Sequence, residues 1–129
     1  MAVTYTNAVK IARMNAITTA AGTTAVLEIG TSALSGSTGV LATIALGNPI
    51  AATAAGAGVL TLAGFPRSDT SADATGTAAK AQIRTSTGAG TDIITGLTVG
   101  LSAADVILDS LSITAGQTVT VNSAVFSHA

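Results

Sequence analysis

The chain has 129 residues, of which 48% are hydrophobic and only 9% charged, with five basic and six acidic side chains and no cysteine. That length fits one domain, and five basic residues are too few for the electrostatic footprint of a nucleic-acid binder. Without cysteine there are neither disulfides nor thiolate metal sites, and aromatics at 2% of the chain leave no stacking platform for single-stranded nucleic acid or sugars.

In chain order, residues 5–21 are good helix formers without Gly or Pro, preceded by Thr4 and Thr6, either able to accept a bond from first-turn amides. One amphipathic helix is expected here. Its buried side is either Ile11, Met14 and Ile17 or Ala8, Ala12 and Ala16, and Lys10 and Arg13 share a face. After Gly22 the texture changes to short runs of Val, Ile, Leu and Thr separated by Gly, Ser, Asn and Pro, the pattern of an all-β domain. The expectation is a single domain over 1–129, with a helical segment at 1–22 and a β domain at 23–129.

Strands are expected near 25–29, 40–46, 58–63, 79–85, 92–99, 105–108, 111–113 and 118–127. Over 79–84 the alternation places Lys80, Gln82 and Arg84 on one face and Ala79, Ala81 and Ile83 on the other, predicting one wet face. Near the end, Val119, Val121 and Val125 alternate with Thr118, Thr120 and Asn122 behind the turn signal Thr114-Ala115-Gly116-Gln117, which predicts a hairpin. Residues 35–39 and 48–58 read as loops, the second with an alternative short helical turn, and Pro66 breaks regular structure in Gly64-Phe65-Pro66-Arg67-Ser68-Asp69.

Candidate chemistry is sparse. His128 is the only histidine and sits next to the C-terminus, so it lacks partners for a transition-metal site or a catalytic pair. Asp69 and Asp73 flank an oxygen-rich loop, but their spacing is not that of a calcium loop, and turn formation or an Arg67–Asp69 pair accounts for them better. Asp105 and Asp109 on a strand lie roughly 13 Å apart by rise, beyond the separation of paired catalytic acids, and read as solvated strand ends. No Gly-x-Ser-x-Gly elbow is present, and Gly56-Ala57-Gly58 and Gly88-Ala89-Gly90 lack the remainder of a phosphate loop or dinucleotide fingerprint. No enzyme activity, metal or cofactor is expected.

Val, Leu, Ile and Phe number 32 of the 129 residues, above the level of roughly 20% at which disorder becomes the better reading. The low, nearly balanced charge favours association. No apolar run approaches a membrane span, and no basic start followed by an apolar core is seen, so synthesis in the cytoplasm is expected.

Residues 5–14 (Tyr5-Thr6-Asn7-Ala8-Val9-Lys10-Ile11-Ala12-Arg13-Met14), 64–69 and 105–110 through Gly116-Gln117 resemble small virion proteins of tailed bacteriophages. The resemblance implies a structural protein of the particle, made in the host cytoplasm and placed on the capsid exterior. There it would be a decoration or cement protein that caps contacts between major capsid subunits, often as a homotrimer. On that reading Lys10, Arg13, Phe65, Arg67, Asp69 and Asp73 are the expected partner contacts, because the helix and the loop after Phe65 concentrate the unusual residues. A tail, baseplate or fibre component and a small adhesion module are the alternatives. The expected fold is a β-sandwich or jelly-roll-like barrel with one short N-terminal helix.

Overall fold

The computed structural model describes residues 4–47, 50, 59–62, 64–86 and 90–127. The expected loop over 48–58 lies outside them except for Ile50, as do His128, the glycine-rich run 56–58 and residues 88–89. The fold is mainly β, a sheet curled like a barrel with one N-terminal helix.

The helix α1 (Asn7–Ala21) begins at Thr6, whose Oγ1 accepts from the Val9 amide at 3.4 Å, and ends at Gly22, where φ is 70°. Met14 and Ala21 are buried and Ile11 and Ile17 pack against the core, whereas Ala8, Ala12 and Ala16 are exposed. Of the two faces the sequence allowed, the larger side chains turn inward. They remove more apolar surface from water than alanine can.

Ten strands follow among the described residues: β1 (Val26–Ser35), β2 (Thr38–Ala45), β3 (Val59–Thr61), β4 (Arg67–Asp69), β5 (Gly76–Thr77), β6 (Lys80–Arg84), β7 (Asp92–Gly100), β8 (Val106–Leu108), β9 (Ser112–Ile113) and β10 (Val119–Ser127). The main sheet runs β2-β1-β6-β7-β8-β10-β3, with β4 also on β10, and β5 pairs with β9 apart from it. The helix packs against β3 and β7. All pairings are antiparallel except β7 with β8, which meet only at Val99–Val106 and Gly100–Ile107. Parallel neighbours ordinarily need a long crossover. Here the chain makes a short sideways jog through 101–105, held by Asp105, whose Oδ2 accepts from the Thr98 amide and hydroxyl at 3.1 Å each.

The strands β3 and β4 lie along β10 as one interrupted strand. Between the pairs Thr61↔Val125 and Arg67↔Val121 the β3–β4 side of the ladder is two residues longer than the β10 side. The sheet's far edges then meet through hydrogen bonds other than a strand ladder. The Thr43 amide on β2 donates to Asp69 Oδ2 at 3.0 Å, Arg67 Nη1 to the Ala45 carbonyl at 3.4 Å, and the Asp73 amide to the Leu41 carbonyl at 2.7 Å. Closing the edges in this way satisfies groups that an open edge strand would offer to another chain. Leu27 and Ile29 of β1, paired with Ile83 and Ala81 of β6, form the centre of the core with Ile44, Leu60, Val106, Leu108, Val119 and Val121.

All eight expected strands are present, but three details differ from expectation. The turn over 114–117 forms, with the Gln117 amide donating to the Thr114 carbonyl at 2.9 Å, yet β9 and β10 do not pair; β9 joins β5, and β10 joins β8, β4 and β3. The turn instead delivers β10 between β8 on one side and β3 and β4 on the other, where Val119, Val121, Ala124 and Phe126 are buried. Second, a register shift between Val121 and Ser123 changes the phase of β10. Ala124 and Phe126 turn inward, and Val125 is 38% exposed. Third, Arg67–Asp69, in the segment expected to be irregular, and Gly76–Thr77, outside the expected strands, are short strands, and the expected loop over 35–39 is reduced to a turn between the end of β1 at Ser35 and the start of β2 at Thr38.

Candidate functional site

The polar face of β6 is not wet. Lys80 is exposed, but Gln82 is 2% and Arg84 6% exposed, and Glu28, their neighbour on β1, is 2% exposed. Glu28 is the only glutamate of the chain and stands in the apolar run Val26-Leu27-Glu28-Ile29. It pairs in register with Gln82, as Val26 does with Arg84, so the buried polar groups share the outer face of the sheet.

This face is covered because β1 bends at Gly30, where its register with β2 shifts. A Cβ at Gly30 would meet the Gly39 carbonyl oxygen and Leu34 Cδ1 at 2.6 Å each, so only glycine lets the returning chain lie this close. The hairpin tip then folds over β6, and its Gly36 carbonyl accepts from Gln82 Nε2 at 2.7 Å.

Beneath the tip the charges are paired. Gln82 Nε2 also donates to Glu28 Oε1 at 2.8 Å, Arg84 Nη1 stands 3.9 Å from the same oxygen, and Arg84 Nε donates to Asp92 Oδ1 at 2.7 Å. Arg84 Nη2 donates further to the Gly90 carbonyl. Removing charges from water costs several kcal/mol per ion, so such a network persists only when its members satisfy one another. Both N–H groups of Gln82 are taken by acceptors, which sets the orientation of its amide. Above it lies a cavity of about 320 Å³ lined by Leu34, Ser35, Lys80, Gln82, Asp92 and Thr95, together with Gly96.

The residues picked out from the sequence fall in two places. On the helix, Lys10 is half-buried, and Arg13 stacks over Tyr5 with Cζ 4.8 Å from the ring centre. In the segment after Gly64, Phe65 packs against the core beneath Arg67, whose Cζ is 5.9 Å from its ring. Arg67, Asp69 and Asp73 join β2 to β4: beyond the bonds above, Asp73 Oδ2 accepts from the Thr43 hydroxyl at 3.3 Å and Asp69 Oδ1 from the Ser71 amide at 3.0 Å. The expected self-bonding of Asp69 in its turn is therefore present, and its second oxygen reaches another strand. Among the described residues no three His, Cys, Asp or Glu side chains gather as a cation site requires.

Sequence reasoning missed the network of Glu28, Gln82, Arg84 and Asp92. A lone glutamate inside an apolar strand was the signal for it, since a charge there needs a buried partner. No helix of the described residues is long and apolar enough to cross a membrane. No family model, curated protein or solved structure matches this chain.

Proposed function

We propose that the chain is a non-enzymatic structural protein of a tailed-phage particle, a decoration or cement protein on the capsid exterior that binds the major capsid protein and assembles as a homotrimer. The observation that carries this reading is where the charges go. Glu28, Arg67, Asp69, Asp73, Arg84, Asp92 and Asp105, at least seven of the eleven charged side chains, form intramolecular hydrogen bonds or ion pairs. They hold this fold together, so most of the chain's few charges are engaged within it even where, as at Asp73 and Asp92, the side chain is exposed.

The exterior of the described residues is correspondingly built mostly of small side chains, Thr, Ser, Ala and Gly, with a few apolar ones among them. Tyr5 (45% exposed) stands just before α1, Val9 (42%), Ala8, Ala12 and Ala16 are exposed on the helix, and Leu101 is 59% exposed at the β7–β8 jog. Surfaces of this kind cover a protein partner with little desolvation cost, and Lys10 and Arg13 at the helix flank add orientation. A protein that binds the assembled lattice and not its separated subunits stabilises the particle by mass action.

The test is to locate the chain on purified particles by electron cryomicroscopy and to measure its mass in solution. Density on the outer capsid lattice and a trimeric mass support the role. Density at the tail or baseplate assigns it to another virion position, and absence from particles refutes both.

A further inference from the structure

The cavity over β6 has a feature the assembly role does not use. Gln82 is 2% exposed and both its amide hydrogens are bonded, to Glu28 and to the Gly36 carbonyl. Its Oε1 accepts from none of the described residues and is not sealed from solvent, and Gln82 belongs to the cavity lining. An acceptor held in a fixed direction by an otherwise buried side chain, and engaged by none of the described residues, is placed to take a donor in the cavity.

The rim adds two charges of opposite sign. Lys80 is exposed and makes no ion pair among the described residues, while Asp92 uses Oδ1 for Arg84 and keeps Oδ2 open. Lys80 and Asp92 line the same cavity without pairing with each other. Including Glu28 and Arg84 beneath, the site is electrically neutral, so it selects neither a plain anion nor a plain cation. A neutral polyol would leave both rim charges partly desolvated and uncompensated. A ligand carrying both charges compensates each.

We propose that this cavity binds a small zwitterion, an α-amino acid. Its ammonium donates to Gln82 Oε1 and Asp92 Oδ2, and its carboxylate meets Lys80 with the Thr95 and Ser35 hydroxyls as further donors. Leu34 is the one large apolar side chain of the lining and receives a short aliphatic side chain. The cavity volume of about 320 Å³ lies at the small end of ligand pockets, which suits a molecule of this size. This binding does not depend on the assembly role, and neither result decides the other.

The experiment titrates the full chain with L-alanine and follows backbone amide shifts by NMR, with methylammonium and acetate as separate probes. Saturable shifts confined to the hairpin tip, β6 and the start of β7 are expected, with each half-ligand binding at least about tenfold more weakly than L-alanine. Lys80→Met, which keeps the aliphatic stem, weakens L-alanine binding about tenfold, and Asp109→Asn, an exposed carboxylate outside the cavity, leaves it unchanged. Thr95→Ala, also exposed at the rim, weakens it about threefold and gives a second reading should Lys80→Met fold poorly. Absence of saturable shifts, acetate binding as tightly as L-alanine, or unchanged affinity in both cavity variants overturns the proposal.

Discussion

Arg84→Met is the sharpest test of the buried network. The substitution keeps a long apolar stem but removes the bond to Asp92, the bond to the Gly90 carbonyl and the charge 3.9 Å from Glu28. Glu28 is then left as a carboxylate with its side chain 3% exposed and only the Gln82 amide for company. Breaking a buried pair by removing one member costs about 3–5 kcal/mol. That is a large share of the total stability of roughly 5–15 kcal/mol for a domain, and at this chain length it lowers the thermal midpoint by about 10–20 °C. Urea unfolding followed by circular dichroism measures the loss, with Glu28→Gln alone and the double variant completing a thermodynamic cycle. The double variant should be more stable than Arg84→Met, because the orphaned charge is gone. A loss under about 1 kcal/mol for Arg84→Met, or a double variant whose loss is the sum of the singles, refutes the network as described.

Asp69→Ala removes the acceptor of the Thr43 and Ser71 amides, and a loss of about 1–3 kcal/mol is expected, with faster hydrogen exchange at Thr43 than in the parent; unchanged exchange there would mean the edges of β2 and β4 are held by other groups. Met14→Ala should cost about 2–5 kcal/mol and Ala12→Ser less than about 0.5 kcal/mol, since one faces the core and the other solvent. Comparable losses at the two sites, read by thermal unfolding, would contradict the helix orientation.

Residues 5–14 illustrate what a local pattern leaves open. The helix signal and a threonine cap at Thr4 or Thr6 are legible in the sequence, but the structure selects Thr6, and only the presence of a core on one side selects Ile11, Met14 and Ile17 of the two competing faces. Likewise Lys80-Ala81-Gln82-Ile83-Arg84 reads as a strand with a polar face. Whether that face meets water depends on the hairpin folding back at Gly30, a distant part of the chain whose tip reaches Gln82 across 46 residues. The role of Arg67, Asp69 and Asp73 in joining two sheet edges was also invisible, because their partners Ala45, Thr43 and Leu41 are distant in sequence.

The sequence by itself determined the fold class, the N-terminal helix and the approximate places of eight strands. These follow from apolar spacing, Gly and Pro punctuation and capping residues, all of which act within a few residues. The tertiary structure alone decided that β9 pairs with β5 rather than β10, that β10 changes phase after Val121, and that Gln82 meets Glu28 across 54 residues of chain. Burial and pairing of this kind are set by which surfaces the closing sheet brings together, a long-range free-energy balance that no short window contains.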